Sequence, residues 1–419
     1  MTGTMTAAEV EAAEGGTAEV VTEVPTTHRR RRFALTAAGL SVAIVLVVVV
    51  SLGLGQYWLT PAQVIGVLLQ SLGIDTSWAP EAPTAAGVIL DIRLPRIVLG
   101  LLVGAALAVS GVLMQAIFGN PLADAAVVGV SSGAAFGAAA SLTFGLAVFG
   151  MWTTPAFAFV GGLIAVFSVY LISRSGGRTE VVTLLLTGIA INAIAGAGLA
   201  FLTFVGTTST REQIVFWQLG SLNGALWQNI AVVAPLVAIG VAAAVFVAHR
   251  LDLFALGERT ARHLGVRVEL LRVVVIVMVA LLVCAAVAFA GIIGFVGLVV
   301  PHLMRMAIGP AHLPLMVTSA LGGALLIAVA DLIARTAVPL ADLPIGMITS
   351  LVGGPFFLWL LLRTRRKAGA GDEHDDGCRD LDGRRCSGRR AAQRPRRDRH
   401  AERRRAAGAR GRRDRRPRG

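Results

Sequence analysis

Ten apolar stretches dominate this sequence, and they constrain its fold more than any other feature. A helix needs about 20 apolar residues to cross about 30 Å of hydrocarbon. The chain is 55% hydrophobic, above the roughly 45–50% of an ordinary soluble domain. We therefore predict an all-α polytopic membrane protein with ten transmembrane helices. The predicted spans lie near residues 33–54, 97–117, 125–146, 155–173, 181–205, 229–249, 271–290, 294–308, 313–335 and 344–362.

The distribution of arginine predicts how these spans are oriented. An even number of spans places both termini on one side, and cytoplasmic loops are enriched in Lys and Arg. Of the 17 arginines up to residue 364, 13 fall on the side of Arg29–Arg32. We therefore expect a multi-pass protein of the cell membrane with both termini in the cytoplasm. Twin arginines before an apolar run are also typical of a cleaved export signal, but no clear cleavage site follows here.

The two ends of the chain differ in composition from the apolar body at 29–364. Residues 1–28 are rich in Thr, Ala and Glu without an apolar period, which predicts a disordered arm. Residues 365–419 contain 21 Lys/Arg and 9 Asp/Glu and cannot bury a core. This tail is either a polybasic segment that binds anionic lipid or the product of a frameshift or read-through shortly after Lys367.

The chain lacks the residues of an ATP-binding loop. Such a loop requires Gly-Lys-Ser/Thr, whereas the sole lysine, Lys367, is followed by Ala368. In the tail, Cys378 and Cys386 fit no standard zinc spacing with His374. We predict that this chain is not an enzyme and holds no metal and no cofactor, and we expect no nucleic-acid partner.

Charges inside the predicted spans are few. Asp331 and Arg335 lie four residues apart on one helix face, which predicts a buried ion pair. The other charges gather at the ends of the spans. This distribution argues against a proton-driven secondary transporter, which usually carries more ionisable groups along its middle spans.

The stretch "GERTARHLGV" at 257–266 interrupts the apolar pattern with a short polar segment. Glycines bracket it, as is common at helix ends, and we expect Ala261 and Leu264 to share one helix face. In the predicted topology it lies in the cytoplasm, between the sixth and seventh spans. It is either a solvated loop helix or a protrusion that docks into a groove of a soluble partner.

Four ordered segments together resemble the permease family of type II ABC importers for iron–siderophores and vitamin B12. They read "DIRLPRIVLGLLVGAALAVSGVLMQAIFGNPLADAAVVGVSSGAAFGA" (91–138), "FALGERTARHLGV" (254–266), "GFVGLVVPHLMRMAIGPAHLPLMVTSALGGALLIAVADLIAR" (294–335) and "LPIGMITSLVGGPFFLWLLL" (343–362). The resemblance covers about residues 33–363.

This resemblance implies a homodimer of ten-helix permeases around a central pathway. Two separate ATPase subunits would bind ATP and Mg²⁺ below it, and an extracytoplasmic substrate-binding protein would deliver the substrate. The implied substrate is an iron–siderophore complex, with cobalamin or haem as alternatives. A secondary transporter is a more distant alternative, and it leaves the polar segment at 257–266 without a role.

The resemblance also implies roles for individual residues. The segment at 257–266 would be the helix that couples to the ATPase. Arginines at the outer ends of two spans would bind acidic side chains of the binding protein, although they could instead only extend to the membrane interface. The turn "GNPLAD" would form part of a cytoplasmic gate, or be an ordinary turn. The implied sites are Gly257, Glu258, Arg259, Ala261, Arg262, Leu264 and Gly265 for coupling, Arg93, Arg96 and Arg335 for docking, and Asn120, Pro121 and Leu122 for the gate.

Overall fold

The computed structural model describes residues 26–78, 80, 83–175, 178–338 and 341–376. Most of the predicted N-terminal arm, and the predicted tail after residue 376, lie outside these residues. The chain divides into two compact units after Leu358. The helical bundle belongs to the first unit, and the second begins within the last helix.

The described chain is almost entirely helical. One short antiparallel hairpin joins β1 (Arg174–Ser175) to β2 (Arg178–Thr179), with Arg174 opposite Thr179. The helices are α1 (Thr26–Gly53), α2 (Pro61–Ser71), α3 (Pro83–Gly87), α4 (Leu94–Phe118), α5 (Val130–Thr143), α6 (Thr153–Ser173), α7 (Val181–Val205), α8 (Thr208–Leu219), α9 (Trp227–Phe254), α10 (Glu258–His263), α11 (Val268–Ala290), α12 (Val296–Ile308), α13 (His312–Thr336) and α14 (Ile345–Asp376). A π-helical turn, Val88–Arg93, joins α3 to α4, and 3₁₀ turns cover Ala125–Val128 and Gly150–Trp152.

Seven helices in the described ranges are long and apolar enough to cross a membrane. They contain α1, α4, α6, α7, α9, α11 and α13. Three predicted spans correspond to shorter helices. The stretch at 125–146 divides into a 3₁₀ turn and the 14-residue α5, α12 has 13 residues, and the apolar part of α14 is Ile345–Trp359. The all-helical membrane class is therefore confirmed, whereas the count of ten spans stays a prediction.

Helix α4 forms the centre of the bundle, where it packs against α9, α11, α12 and α13. Small residues permit its closest approaches, as is common between membrane helices. A Cβ on Gly104 would collide with the backbone of Gly323 in α13, and one on Gly111 would collide with the backbone of Gly297 in α12. These two crossings bring the helix backbones into direct contact.

Helices α1 and α7 present apolar side chains outward. Leu35 and Leu46 of α1 are 62% and 60% exposed, and Phe201 and Phe204 of α7 are 63% and 78% exposed. Apolar faces of this size are unusual on soluble monomers. They are expected where lipid or another membrane helix covers the surface.

The glycine-rich stretch between α11 and α12 shows how an irregular backbone is accommodated. Phe295, at the start of α12, has a φ of 67° in the left-handed region. The side chain of Gln115 in α4 donates to the carbonyls of Gly297 and Leu298 at 3.3 and 3.4 Å. Non-helical backbone at membrane depth is tolerated where protein surrounds it, and here the start of α12 packs inside the bundle.

Candidate functional site

The polar segment at 257–266 folds as the six-residue helix α10, and glycines set both of its ends. Gly257 precedes it with a φ of 102°, and Gly265 follows it with a φ of 85°. The N–H of Val266 donates to the Ala261 carbonyl, and the N–H of Gly265 donates to the Arg262 carbonyl, each at 3.0 Å. These two bonds form a Schellman motif, which requires a left-handed residue at the Gly265 position.

Helix α10 is held to the bundle by one small apolar residue and one carboxylate. Ala261 is fully buried. Glu258 forms an ion pair with Arg272 of α11 and a second one, at 3.3 Å, with Arg262. The second pair is exposed and contributes little stability.

Arg272 is the residue that connects α10 to its surroundings, and the sequence analysis did not identify it. Its side chain is only 5% exposed. The guanidinium pairs with Glu269 at 3.1 Å, donates to the Thr179 carbonyl at 2.7 Å and lies 5.9 Å from the ring centre of Phe254. The only signal in the sequence was an arginine at the start of an apolar span beside Glu269.

The outward surface of α10 carries most of the residues assigned to coupling. Arg259, Arg262 and His263 are exposed, and Leu264 just beyond them is 54% exposed. The prediction that Ala261 and Leu264 lie on one helix face is wrong, because the two side chains differ in exposure. Leu264 is the C-cap residue, after the helix has ended, so it faces outward while Ala261 is buried.

The three arginines assigned to docking come together at the opposite end of α4 and α13. All three side chains are buried within the single chain. Arg93 donates to the carbonyls of Leu52 and Gly53 at the end of α1, and to the carbonyl of Tyr57 in the loop that follows. The bonds to Leu52 and Gly53 cap the C-terminal end of α1, where a helix leaves carbonyl groups without intrahelical partners.

Arg96 and Arg335 share one carboxylate. Arg96 Nε lies 2.7 Å from Asp331 Oδ1, and Arg335 Nε lies 3.1 Å from Asp331 Oδ2. Arg96 also pairs through Nη1 with Asp342 at 2.7 Å, and Arg335 donates to the backbone and hydroxyl oxygens of Ser51. Asp331 is 2% exposed, whereas the side chain of Asp342 is 30% exposed.

This arrangement bears directly on docking. The arginine donors already have internal acceptors, so a carboxylate from a partner would have to compete with them. Within the described part of the chain, Arg96 Nη2 and Arg335 Nε are buried without a hydrogen-bond partner, although Arg335 Nε lies within ion-pair distance of Asp331. An incoming acid would compete most readily at Arg96, by pairing with Nη2 or by displacing the partly exposed Asp342 from Nη1.

The turn assigned to the gate lies between α4 and the 3₁₀ turn at Ala125–Val128. Gly119 ends α4 with a φ of 58°. Asn120 Oδ1 accepts from the N–H of Leu122 at 2.9 Å, a side-chain-stabilised turn. Asn120 and Pro121 are exposed, and Leu122 is half-buried. Helix direction places this turn at the same end of the bundle as α10.

Asp124 is the last residue of this turn, and protein atoms surround its carboxyl group. A Cβ placed on Gly297 would lie 3.4 Å from Asp124 Oδ1, so the carboxyl packs close to the start of α12. Burial raises the pKa of the Asp124 carboxyl, and the nearby backbone N–H groups of Ala126 and Ala125 lower it in part. The Asp124 side chain makes no capping hydrogen bond to the 3₁₀ turn.

Arg211 lies in the first turn of α8, just after the end of α7. Its guanidinium donates to the carbonyls of Thr203, Phe204 and Gly206, each at 3.1 Å. Arginine is favoured at such helix C-termini, where it binds the last free carbonyls. Arg211 therefore closes the end of α7.

The described residues contain no group of three or more His, Cys, Asp or Glu side chains placed to hold a metal ion.

Comparison with known proteins identifies relatives over the same part of the chain. The FecCD transport family model matches residues 43–363. The chain is 42% identical over 301 residues to the hemin transport system permease protein HmuU of Yersinia pestis, covering 71% of this chain and 90% of that protein. It is 35% identical over 337 residues to the vitamin B12 import system permease protein BtuC of Klebsiella pneumoniae, covering 80% and 96%.

A solved structure shares the fold. It is an ABC transporter ascribed to the metal-chelate type, in an inward-facing conformation. The TM-score is 0.68 at 33% identity, and the match covers 78% of this chain and 98% of the other.

Proposed function

Since the chain belongs to the FecCD transport family, we propose that it is the permease subunit of a type II ABC importer and that it carries a metal chelate across the cell membrane. The observation that supports this most directly is the family match over residues 43–363, which includes the bundle and α10 together. Energy would come from ATP and Mg²⁺ on two separate ATPase subunits, and this chain would bind no cofactor.

For the substrate, we propose an iron–siderophore complex, and haem is the second candidate. The 42% identity to a hemin permease supports haem, but the chain is also 43% identical over 279 residues to a cobalamin import permease of Halobacterium salinarum, so identity does not rank these two substrates. Cobalamin is a further alternative, because the Klebsiella pneumoniae relative is a vitamin B12 permease. All three are large chelates, and a binding protein that delivers the substrate would decide among them.

The assembly we propose is a homodimer of ten-helix subunits with cytoplasmic termini. The exposed apolar face of α7 supports a second copy, since Ile189, Ile194 and Phe201 are more than half exposed on one chain. The short helices α5, α12 and α14 would complete the ten spans by packing inside the assembly.

We propose that α10 is the coupling helix and that Arg272 passes its displacement to α11. The exposed Arg259, Arg262 and Leu264 would seat in a groove of the ATPase. Glu258 would then pull on the buried guanidinium of Arg272, which also touches β2 through the Thr179 carbonyl. At the same end, Asn120, Pro121 and Leu122 would form the gate.

At the opposite end, we propose that Arg93, Arg96 and Arg335 attract acidic side chains of the binding protein. Guanidinium groups bind carboxylates with directional hydrogen bonds. The unpartnered Nη2 of Arg96 supports this role for Arg96. Arg93 and Arg335 would act by holding the ends of α1 and α13 around it.

The experiment that tests transport uses proteoliposomes with the ATPase and binding protein supplied. Uptake of an iron-labelled siderophore, haem and cyanocobalamin is compared with and without ATP. We expect ATP-dependent uptake of one chelate. Uptake driven by an ion gradient without the ATPase would instead identify a secondary transporter.

The coupling role is tested with the double variant R262D/L264D. Both side chains are exposed, so the variant should insert normally but lose association with the ATPase in a pull-down. R174D, which changes an exposed arginine on β1, is the matched control and should retain association. Equal association of both variants with the ATPase would refute the assignment.

A further inference from the structure

A groove opens where the start of α1 meets the end of α12 and the start of α13. Its volume is ≈ 400 Å³. The walls are apolar, and two basic residues stand at one end of it. The lining residues are Phe33, Ile308, Leu313 and Pro314, together with Arg29 and Arg30.

A second hollow continues from this groove and adds more basic character. It shares Arg29 and Ile308 with the first and adds His28, Arg32 and Gly309. Arg29 lies close to the backbone here, since a Cβ on Gly309 would be 3.8 Å from Arg29 Nη2. The basic side chains therefore surround one end of a continuous apolar depression.

These arginines are not neutralised by the described part of the protein. Arg29–Arg32 are all exposed and take part in none of its ion pairs. Three carboxylates at this end of the bundle have other partners, since Asp252 binds His312 and both Glu258 and Glu269 bind Arg272. Within the described residues, the positive charge of the cluster at Arg29–Arg32 therefore has no acidic partner.

The surroundings indicate a ligand that is both anionic and apolar. Beyond Phe33, α1 presents exposed side chains such as Leu35 and Val42, which are 62% and 59% exposed. The arginines thus lie where a lipid-covered helix reaches water. Guanidinium groups bind phosphate oxygens in a fixed fork geometry, and anionic lipids attract basic segments next to a membrane span.

We propose that this groove binds one anionic phospholipid, with its phosphate at Arg29, Arg30 and Arg32. One acyl chain lies along Phe33, Ile308 and Leu313. The bound lipid joins α1 to the connection between α12 and α13. This site shares no residue with those assigned to ATPase coupling, docking and the gate, and it does not depend on the identity of the transported chelate.

The test is native mass spectrometry of the full chain released from nanodiscs. The nanodiscs contain equal parts of palmitoyl-oleoyl phosphatidylglycerol and phosphatidylcholine. We measure the fraction of protein molecules that keep one bound phosphatidylglycerol. This fraction is expected to be at least about fivefold lower for R29Q/R30Q than for the wild type. R250Q/R267Q is the matched control, because Arg250 and Arg267 line another groove of ≈ 400 Å³ at this end, and it should retain the lipid as the wild type does.

Three outcomes would overturn the proposal. Equal retention by R29Q/R30Q and the wild type would show that the groove does not select the lipid or is filled by the glutamate-rich residues 1–25. An equal loss in both variants would show diffuse attraction to net charge. Displacement of the lipid by excess inorganic phosphate would assign the arginines to a free anion.

Discussion

Arg96 Nε and Asp331 Oδ1 lie 2.7 Å apart in the interior of the bundle, although 235 residues separate them along the chain. The pair connects the start of α4 to the end of α13. Arg335 lies 3.1 Å from the second oxygen of the same carboxylate. Asp331 therefore compensates part of the charge of two buried guanidinium groups.

Replacing Asp331 with Asn should destabilise the protein strongly. Arg96 would keep only the partly exposed Asp342, and Arg335 would keep only uncharged oxygens. Removing one partner of a buried ion pair costs about 3–5 kcal/mol. Thermal unfolding in detergent measures the effect, and D91N, at an exposed position of the π-helical turn, is the control. Similar unfolding temperatures for the two variants would contradict the assigned role of Asp331.

Replacing Arg272 with Ala should release α10 while the bundle stays folded. The variant removes the ion pairs to Glu258 and Glu269 and the bond to the Thr179 carbonyl, a loss of about 1–3 kcal/mol. Hydrogen exchange of residues 257–266 should become faster, and R272K should restore part of the protection. R267A removes an exposed arginine beside α11 and should leave the exchange unchanged. If the amides of residues 257–266 exchange as slowly in R272A as in the wild type, Arg272 is not the residue that holds α10 to the bundle.

Replacing Gly104 with Ala should force α4 and α13 apart. The added methyl group would collide with the Gly323 backbone, and overpacking of this kind costs about 1–3 kcal/mol. Gly39 of α1 is the matched control, because nothing lies within 4 Å of a Cβ placed there. We expect a lower unfolding temperature for G104A and an unchanged or higher one for G39A. A neutral G104A would mean that the two helices can separate at little cost.

Ionisation of the Asp124 carboxyl should lower the stability of the folded protein as the pH rises. Its folded-state pKa is raised above the ordinary value of 3.8, so the folded state binds the proton more tightly than the unfolded state. The contribution of this group is fully present below pH 3.8 and is lost as the pH rises through the raised folded-state pKa. D124N should lack this dependence. Unfolding temperatures of both proteins from acidic to neutral pH test the sign, and a difference that grows in favour of the wild type as the pH rises would contradict it.

The helical pattern could be predicted from the sequence because it is local. Apolar runs of membrane-spanning length gave the positions of α1, α4, α6, α7, α9, α11 and α13. The polar α10 was also predictable, since Gly257 and Gly265 set its ends through their own backbone angles. The length of α5 was overestimated, because Gly129, at a φ of 85°, separates it from the 3₁₀ turn.

The partners of the charged residues could not be predicted from spacing. Asp331 and Arg335 are neighbours on one helix, so their proximity follows from the helix period. Asp342 and Ser51 reach Arg96 and Arg335 only through tertiary packing. Arg272 reaches Glu258 and Thr179 in the same way, although its pair with Glu269 is local. The same limit explains why the docking arginines were expected at the surface, whereas the folded chain surrounds them.

At the two crossings where α4 touches α12 and α13 backbone to backbone, no side chain separates the helices. Such a contact has no rotamers to exchange, so we expect these three helices to move together in a transport cycle. Rearrangement is left to elements attached through long side chains, such as α1, which Arg93 and Arg335 connect to the ends of α4 and α13.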